Sequence, residues 1–275
     1  MESLPLVLKT LLEEVKQLVR LPLPQWLPDH PTAEDMEVFK KEALGQSQFD
    51  PLKLRENLWR QLEQHEAQIV CRSSINVKVL FIQPKRSRVE PPWGVWARIF
   101  QWLGPSKSGT PWRVFWFPAT IKRILPIKGE PVTSQHINGG YSYPCRSDTI
   151  VVYRLEEATR VLVHEVLHAA CLDPPTNVLE YREANVETWA ELFLVALCSG
   201  GDYKRALDLW KIQAQWIADQ NYILRHRFNV NEPKDFAWRY TVGREFILRT
   251  LKIDLPQGKL TGSRSSRLTS PYICP

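Results

Sequence analysis

From Leu155 to Leu251 the chain reads as nearly continuous helix, and any fold it adopts must bury that run. Apolar residues recur at helical spacing over 155–172, 178–199, 203–225 and 236–251. The breaks fall at Pro174-Pro175, Gly200-Gly201 and Asn231-Glu232-Pro233, where proline or glycine interrupts a helix. The preceding half is built differently. INVKVLFIQ (75–83), WRVFWF (112–117) and TIVVYR (149–154) are short runs rich in β-branched and aromatic residues, which predicts strands. In TSQHINGGYSYP (133–144), Asn138-Gly139-Gly140 is a turn signal between two short strands. Further helices are predicted over 4–19, where leucines and valines face Glu13, Glu14 and Lys16, and over 32–43 and 50–68. PPWGVWARIFQWLGPS (91–106) predicts a short, very apolar helix, either a core helix or a contact surface for a membrane or a protein.

With 275 residues the chain can bury a substantial core, and 44% hydrophobic with 24% charged residues is ordinary globular usage. The net charge of +6 is scattered, with mild clusters at Lys85–Arg88 and Arg264–Arg267, so no nucleic-acid partner is expected. The five cysteines are widely spaced and include no CxxC, which points to reduced thiols in an intracellular compartment. The N-terminus lacks the basic and apolar regions of a secretory signal, and no window reaches the ~18 uncharged apolar residues of a membrane span. A soluble cytoplasmic protein is the expectation.

The run RVLVHEVLHAACLD (160–173) carries chemistry. Residues four apart share a helix face, so His164 and His168 can present imidazole nitrogens to one cation. Glu165 is rotated by about 100° from His164, where a carboxylate misses the metal but reaches water bound to it. The neighbours Val161, Leu162, Val163, Val166, Leu167, Ala169 and Ala170 are all uncharged. Burying three polar side chains there without a partner would cost several kcal/mol, and a shared metal supplies the partner. A catalytic zinc site needs three protein ligands and an open position. Glu183, Glu187 and Glu191 form a stripe with a four-residue period in EYREANVETWAELFLVAL, and eighteen residues separate His168 from Glu187.

HEVLH-x18-E resembles the gluzincin arrangement of zinc metallopeptidases, as in thermolysin-like and aminopeptidase-like enzymes. The resemblance covers roughly residues 133–195. It implies an α+β, zincin-like core: a small mixed sheet plus an active-site helix, followed by a mainly helical lobe. It also implies one Zn²⁺ per chain on His164, His168 and Glu187, with Glu165 as general base and Glu191 as the carboxylate that orients a ligand histidine. Asn185 precedes Glu187 by two residues, so the family's usual Asn-Glu pair is not reproduced. The metzincin pattern is excluded, because Cys171 and Pro174 stand where it needs glycine and histidine.

Zincins lay substrate along an edge strand upstream of the metal helix. Either 136–143 or TIVVYR could supply it, with Asn138, Gly139 and Gly140 as substrate-binding positions where backbone approaches closely. The family's oxyanion donor is a tyrosine or histidine downstream of the third ligand, for which Tyr240 and His226 are the catalytic candidates; Arg239 and Arg244 are candidate carboxylate anchors. The reading is a peptidase acting on protein or peptide substrate, with Trp93–Trp116 as a second contact surface for a membrane or protein. The expected divisions are a helical accessory region (1–70), a catalytic domain (71–255) and a flexible basic tail (256–275). The rival expectation is an inactive zincin-like scaffold that retains its metal.

Overall fold

Hydrogen bonding in the computed structural model joins the strands into one six-stranded mixed sheet, ordered β1-β2-β3-β4-β6-β5. The structure describes residues 3–260 and 266–274, and among them are six strands and nine α-helices. The chain divides into two units: residues 22–122 with 138–172, and residues 1–21, 123–137 and 173–275. The boundaries expected near 70 and 255 do not match this division. The first 70 residues contribute to both units, because only the helix α1 (Leu6–Arg20) joins the second.

The first unit holds the sheet. The strands β1 (Leu27–Pro28), β2 (Ala67–Ser74) and β3 (Val77–Pro84) pair antiparallel, whereas β4 (Trp112–Trp116) runs parallel to β3. A parallel pair needs a crossover, and the helix α4 (Trp93–Leu103) lies within the one joining β3 to β4. The strand β6 (Ile150–Val152) is parallel to β4, and β5 (Gly140–Ser142) closes the edge antiparallel to β6. Strands covered on both faces read as unbroken apolar runs, which is why β3, β4 and β6 were legible.

One face of the sheet carries α2 (Ala33–Leu44) and α3 (Leu54–Glu63), whose Phe39, Leu54, Leu58 and Trp59 pack with Leu80, Ile82, Phe115 and Val151. A reciprocal capping box of Thr32 and Asp35 starts α2. The other face carries Phe81 and Trp116, with Trp96 of α4 at 5.6 Å from the Trp116 ring. Trp96 also donates to Thr159 Oγ1 at 3.1 Å, tying α4 to the helix α6 (Ala158–Ala169). Trp96, Trp112 and Trp116 are buried, and Trp93 and Trp102 are half-buried. The tryptophans of 93–116 therefore serve core packing rather than an exposed aromatic surface.

In the second unit the 21-residue helix α7 (Leu179–Ser199) packs against α1, α8 (Tyr203–Phe228) and α9 (Val242–Thr250); α5 (Ser134–Ile137) is a single turn. Its core joins Ala184, Leu224, Trp238, Tyr240 and Ile247 with Leu268. Leu268 belongs to the segment expected to be a loose tail. Ser266, Leu268, Thr269, Ser270 and Ile273 are all buried, and Cys274 is disulfide-bonded to Cys198 on α7. Arg264 of the basic cluster lies outside the described residues. A second disulfide, Cys145–Cys171, lies within the sheet unit, and only Cys71 among the described cysteines is free. The expectation of reduced thiols is thus overturned, and with it the argument for a reducing compartment. Among the described residues no helix is long and apolar enough to cross a membrane.

Candidate functional site

All twelve residues of α6 are buried, so His164, Glu165 and His168 sit in the interior as the apolar flanks require. The helix ends in a Schellman turn: Leu172 N–H donates to Leu167 O at 3.0 Å and Cys171 N–H to His168 O at 3.1 Å. Cys171 takes the left-handed position of that turn, with φ 58°, where glycine is usual. His168 therefore lies in the last turn and His164 one turn inside. Their Nε2 atoms approach to 3.1 Å, with the rings inclined at 71°. Two imidazoles on a tetrahedral zinc, with Zn–N near 2.0–2.1 Å, hold their nitrogens about 3.3 Å apart. The pair fits a zinc ion with little movement.

Glu165 points to the sheet edge. Ser142 Oγ lies 2.9 Å from Glu165 Oε2 and 3.0 Å from its main-chain oxygen. Gly140, on the same side of β5, lies under the helix. A Cβ there would come within 2.6 Å of both Val151 O and Val161 Cγ1, and 3.2 Å of Glu165 Cγ. At Gly139 a Cβ would meet Val161 Cγ2 at 2.8 Å. Neither glycine has positive φ. The expected turn at Asn138-Gly139-Gly140 is therefore not one: Gly140 begins the edge strand, and the glycines are there for close approach to α6. Buried Arg154, whose pKa is lowered by that burial, donates to Asn138 O at 2.9 Å, and Gly139 O accepts from Tyr153 N at 2.7 Å. Of the two candidate edges, the 136–143 segment contains the real one. TIVVYR is internal, flanked by β4 and β5.

Side chains alternate across a strand, so Tyr141 faces away from α6. Its hydroxyl donates to Glu42 Oε2 at 2.6 Å and contacts Arg55, which is itself paired with buried Asp50 at 3.1 Å. Burial pushes the Tyr141 pKa far above the usual phenol range, which keeps it neutral. Sequence reasoning missed Ser142, Tyr141, Glu42 and Arg55. The one available signal was the period of two that puts Ser142 on the face of Gly140.

The remaining candidates lie in the helical unit. On α7, Glu187 and Glu191 are buried and Glu183 is half-buried. Glu191 Oε1 is 3.5 Å from Arg244 and accepts from Thr269 Oγ1 at 2.9 Å, a network that ties α7 to α9 and the C-terminal segment. Arg244 is wholly buried and donates to Leu268 O at 3.0 Å and Gln220 Oε1 at 2.5 Å. It is a structural group, not an exposed anchor for a substrate carboxylate. Tyr240 packs in the hydrophobic core, 5.4 Å from Phe236. His226 is exposed at the end of α8, stacked on Tyr222 at 4.0 Å, with Nδ1 2.8 Å from Tyr222 O. Arg239 bonds Glu180 at 3.3 Å. These surroundings give His226 and Arg239 local structural partners and place Tyr240 in packing.

No protein family, curated protein or solved structure matches the chain.

Proposed function

We propose that this protein is a zinc-dependent metallopeptidase with a zincin-like core. The observation that carries the reading is the approach of His164 Nε2 and His168 Nε2 to 3.1 Å on a buried helix, with Glu165 beside them. Two neutral nitrogens and an adjacent carboxylate form the donor set and base of metal-assisted hydrolysis. The antiparallel edge strand β5 beside the same helix adds support, because an extended peptide can continue a sheet by main-chain pairing. Glu187 is the third ligand by its spacing from His168, and Glu183, one turn earlier on α7, is its competitor.

When bound, zinc polarises the scissile carbonyl and lowers the pKa of its water to about 7. The chain's own groups do the rest. His164 and His168 would hold the ion as neutral imidazoles. Glu165 receives a proton from the attacking water and passes it to the leaving amine. Ser142 holds one Glu165 oxygen at 2.9 Å, which helps to orient the carboxylate. The β5 backbone aligns the peptide.

The test is zinc content and peptidase activity of the wild type, Glu165→Gln, Glu187→Ala and Glu183→Ala. One equivalent of zinc with activity lost in Glu165→Gln is the expected result. The third ligand is the glutamate whose alanine variant loses zinc. Absence of zinc after metal-replete purification sinks the reading, and zinc without activity on a broad peptide library favours a scaffold.

A further inference from the structure

We propose that the Cys145–Cys171 disulfide is a redox latch on the metal-binding end of α6, so that reducing it weakens zinc binding. The inference rests on the metal-centre reading above and concerns the regulation of that site.

The bond joins the loop after β5 to the residue that terminates α6, across a sequence separation of 26 that encloses β6 and the whole HEVLH helix. Both cysteines donate their backbone N–H to one acceptor, the carbonyl of His168, each at 3.1 Å. Both also have left-handed backbone, with φ 62° at Cys145 and 58° at Cys171. That region disfavours any residue with a Cβ, and glycine or asparagine is its usual occupant. Here two cysteines occupy it side by side, held by a covalent link between them. The turns that end α3 and α9 keep the same backbone at His65 and Lys252 with no disulfide. What the link adds at α6 is therefore the loop after β5, which it holds with Cys145 N–H on the His168 carbonyl. His164 lies a full turn inside the helix. Of the two proposed ligands, His168 alone has its carbonyl contacted by a loop that a reducible bond anchors.

Cys145 is an exposed residue, so a thiolate in solution can reach the bond. The other disulfide, Cys198–Cys274, joins two half-buried residues and ties the C-terminal segment to α7. A dithiol reductant supplies the two electrons. Its first thiolate breaks the S–S bond and forms a mixed disulfide, and its second thiolate displaces the remaining cysteine. The reductant leaves as a disulfide, while Cys145 and Cys171 leave as thiols that carry its two protons. Linkage makes the coupling reciprocal: if the bond favours zinc, zinc protects the bond by the same factor.

The experiment compares zinc dissociation constants, by competition with a chromophoric chelator, for the oxidised wild type, Cys145→Ser/Cys171→Ser and Cys198→Ser/Cys274→Ser. Serine leaves no thiol to bind zinc itself. The first double variant is expected to bind about tenfold more weakly, as for loss of a group that orients a ligand, and the second to bind as the wild type does. A second readout needs no variant. The fraction of Cys145 reduced at equilibrium in a thiol–disulfide buffer, counted by mass spectrometry, is expected to fall when zinc is added. Equal zinc affinities in the oxidised and bond-less forms overturn the inference. If the double variant does not fold, an equilibrium reduced fraction indifferent to zinc overturns it instead. If the oxidised wild type takes up no zinc, or His164→Ala binds as tightly, the metal-centre reading fails first and this inference falls with it.

Discussion

Two clusters of buried polar groups lie in the two units, and they are closed in different ways. In the helical unit Arg244 and Glu191 form a fully buried charge pair, with side-chain exposures of 0% and 2%. Leu268 O, Gln220 Oε1 and Thr269 Oγ1 surround it. A guanidinium cannot become neutral, so its partners must be built in permanently. In the sheet unit two imidazoles meet nitrogen to nitrogen, and Ser142 bonds the carboxylate beside them. An imidazole can stay neutral inside a protein, so such a pair can be buried before a cation arrives. The difference is the one expected if the first cluster holds the fold together and the second is the proposed metal site.

The largest effect that tests this contrast is expected at Arg244. Arg244→Met strands the Glu191 carboxylate in the core and is expected to destabilise the protein by about 3–5 kcal/mol, read from denaturant midpoints. Arg244→Met combined with Glu191→Gln is expected to recover most of that loss. If the single variant unfolds like the wild type, the pair is not structural.

His164→Ala tests the other cluster. Its unfolding free energy without metal is expected to fall by about 1–3 kcal/mol, because the substitution removes a buried ring and the partner of His168 Nε2. A further difference appears with metal. At zinc a hundredfold above its dissociation constant the wild type gains about 2.7 kcal/mol, and the variant gains nothing. Thermal melts with and without zinc measure both, and a zinc-induced shift retained in the variant defeats the metal assignment.

The legible parts of this molecule are those whose physics is local. The helix α6 and its HEVLH face follow from spacing along one element, as do α7 and its acidic stripe. Strands β3, β4 and β6 announce themselves as apolar runs because the sheet covers them on both faces. The strand β2 does not, because AQIVCRSS is partly exposed and mixes polar with apolar residues. The strand β5 is three residues long and opens on a glycine, which in sequence means a turn as readily as a close approach. Only the position of Val161 above it decides. The same holds for Cys145 with Cys171, for Arg244, whose acid comes from another helix, and for the C-terminal segment, whose anchor is on α7. Each depends on a partner distant in the chain.

Gly140→Ala tests that ambiguity. A turn glycine would need positive φ, and Gly140 has none; what it lacks is room. The added methyl meets Val151 O and Val161 Cγ1 at 2.6 Å, and overpacking of this kind is expected to cost about 1–3 kcal/mol. Because α6 must lift away from β5 to accept it, zinc affinity is expected to fall with stability. Gly140→Ala combined with Val161→Ala removes one of the two clashes but leaves the Val151 carbonyl, and is expected to restore both in part. Failure of that rescue in either readout means the glycine serves some other purpose.

The smallest expected effect lies away from the histidines, in a third charged cluster where Lys78 and Arg113 face the start of α2. Asp35 lies 2.8 Å from Lys78 and 3.3 Å from Arg113, in a cleft of about 750 Å³ that Asp29 and Asp148 also line. Burial alone would raise the Asp35 pKa, but its bonds to Lys78 and Thr32 outweigh burial and hold it below the ordinary carboxylate value of 3.8. Asp29 is lowered chiefly by Ser73, and Asp148 by Arg146. A group whose folded pKa is depressed contributes stability above its unfolded pKa and loses it as pH falls through the folded one. Asp35→Asn is therefore expected to be less stable than the wild type by about 1 kcal/mol at pH 7. That gap should persist to about pH 4 and close below it, as the wild-type carboxyl takes up its proton. Denaturant titrations in the acid range decide the matter: a gap of constant size at every pH would mean that Asp35 acts through the shape of its capping turn, not its charge.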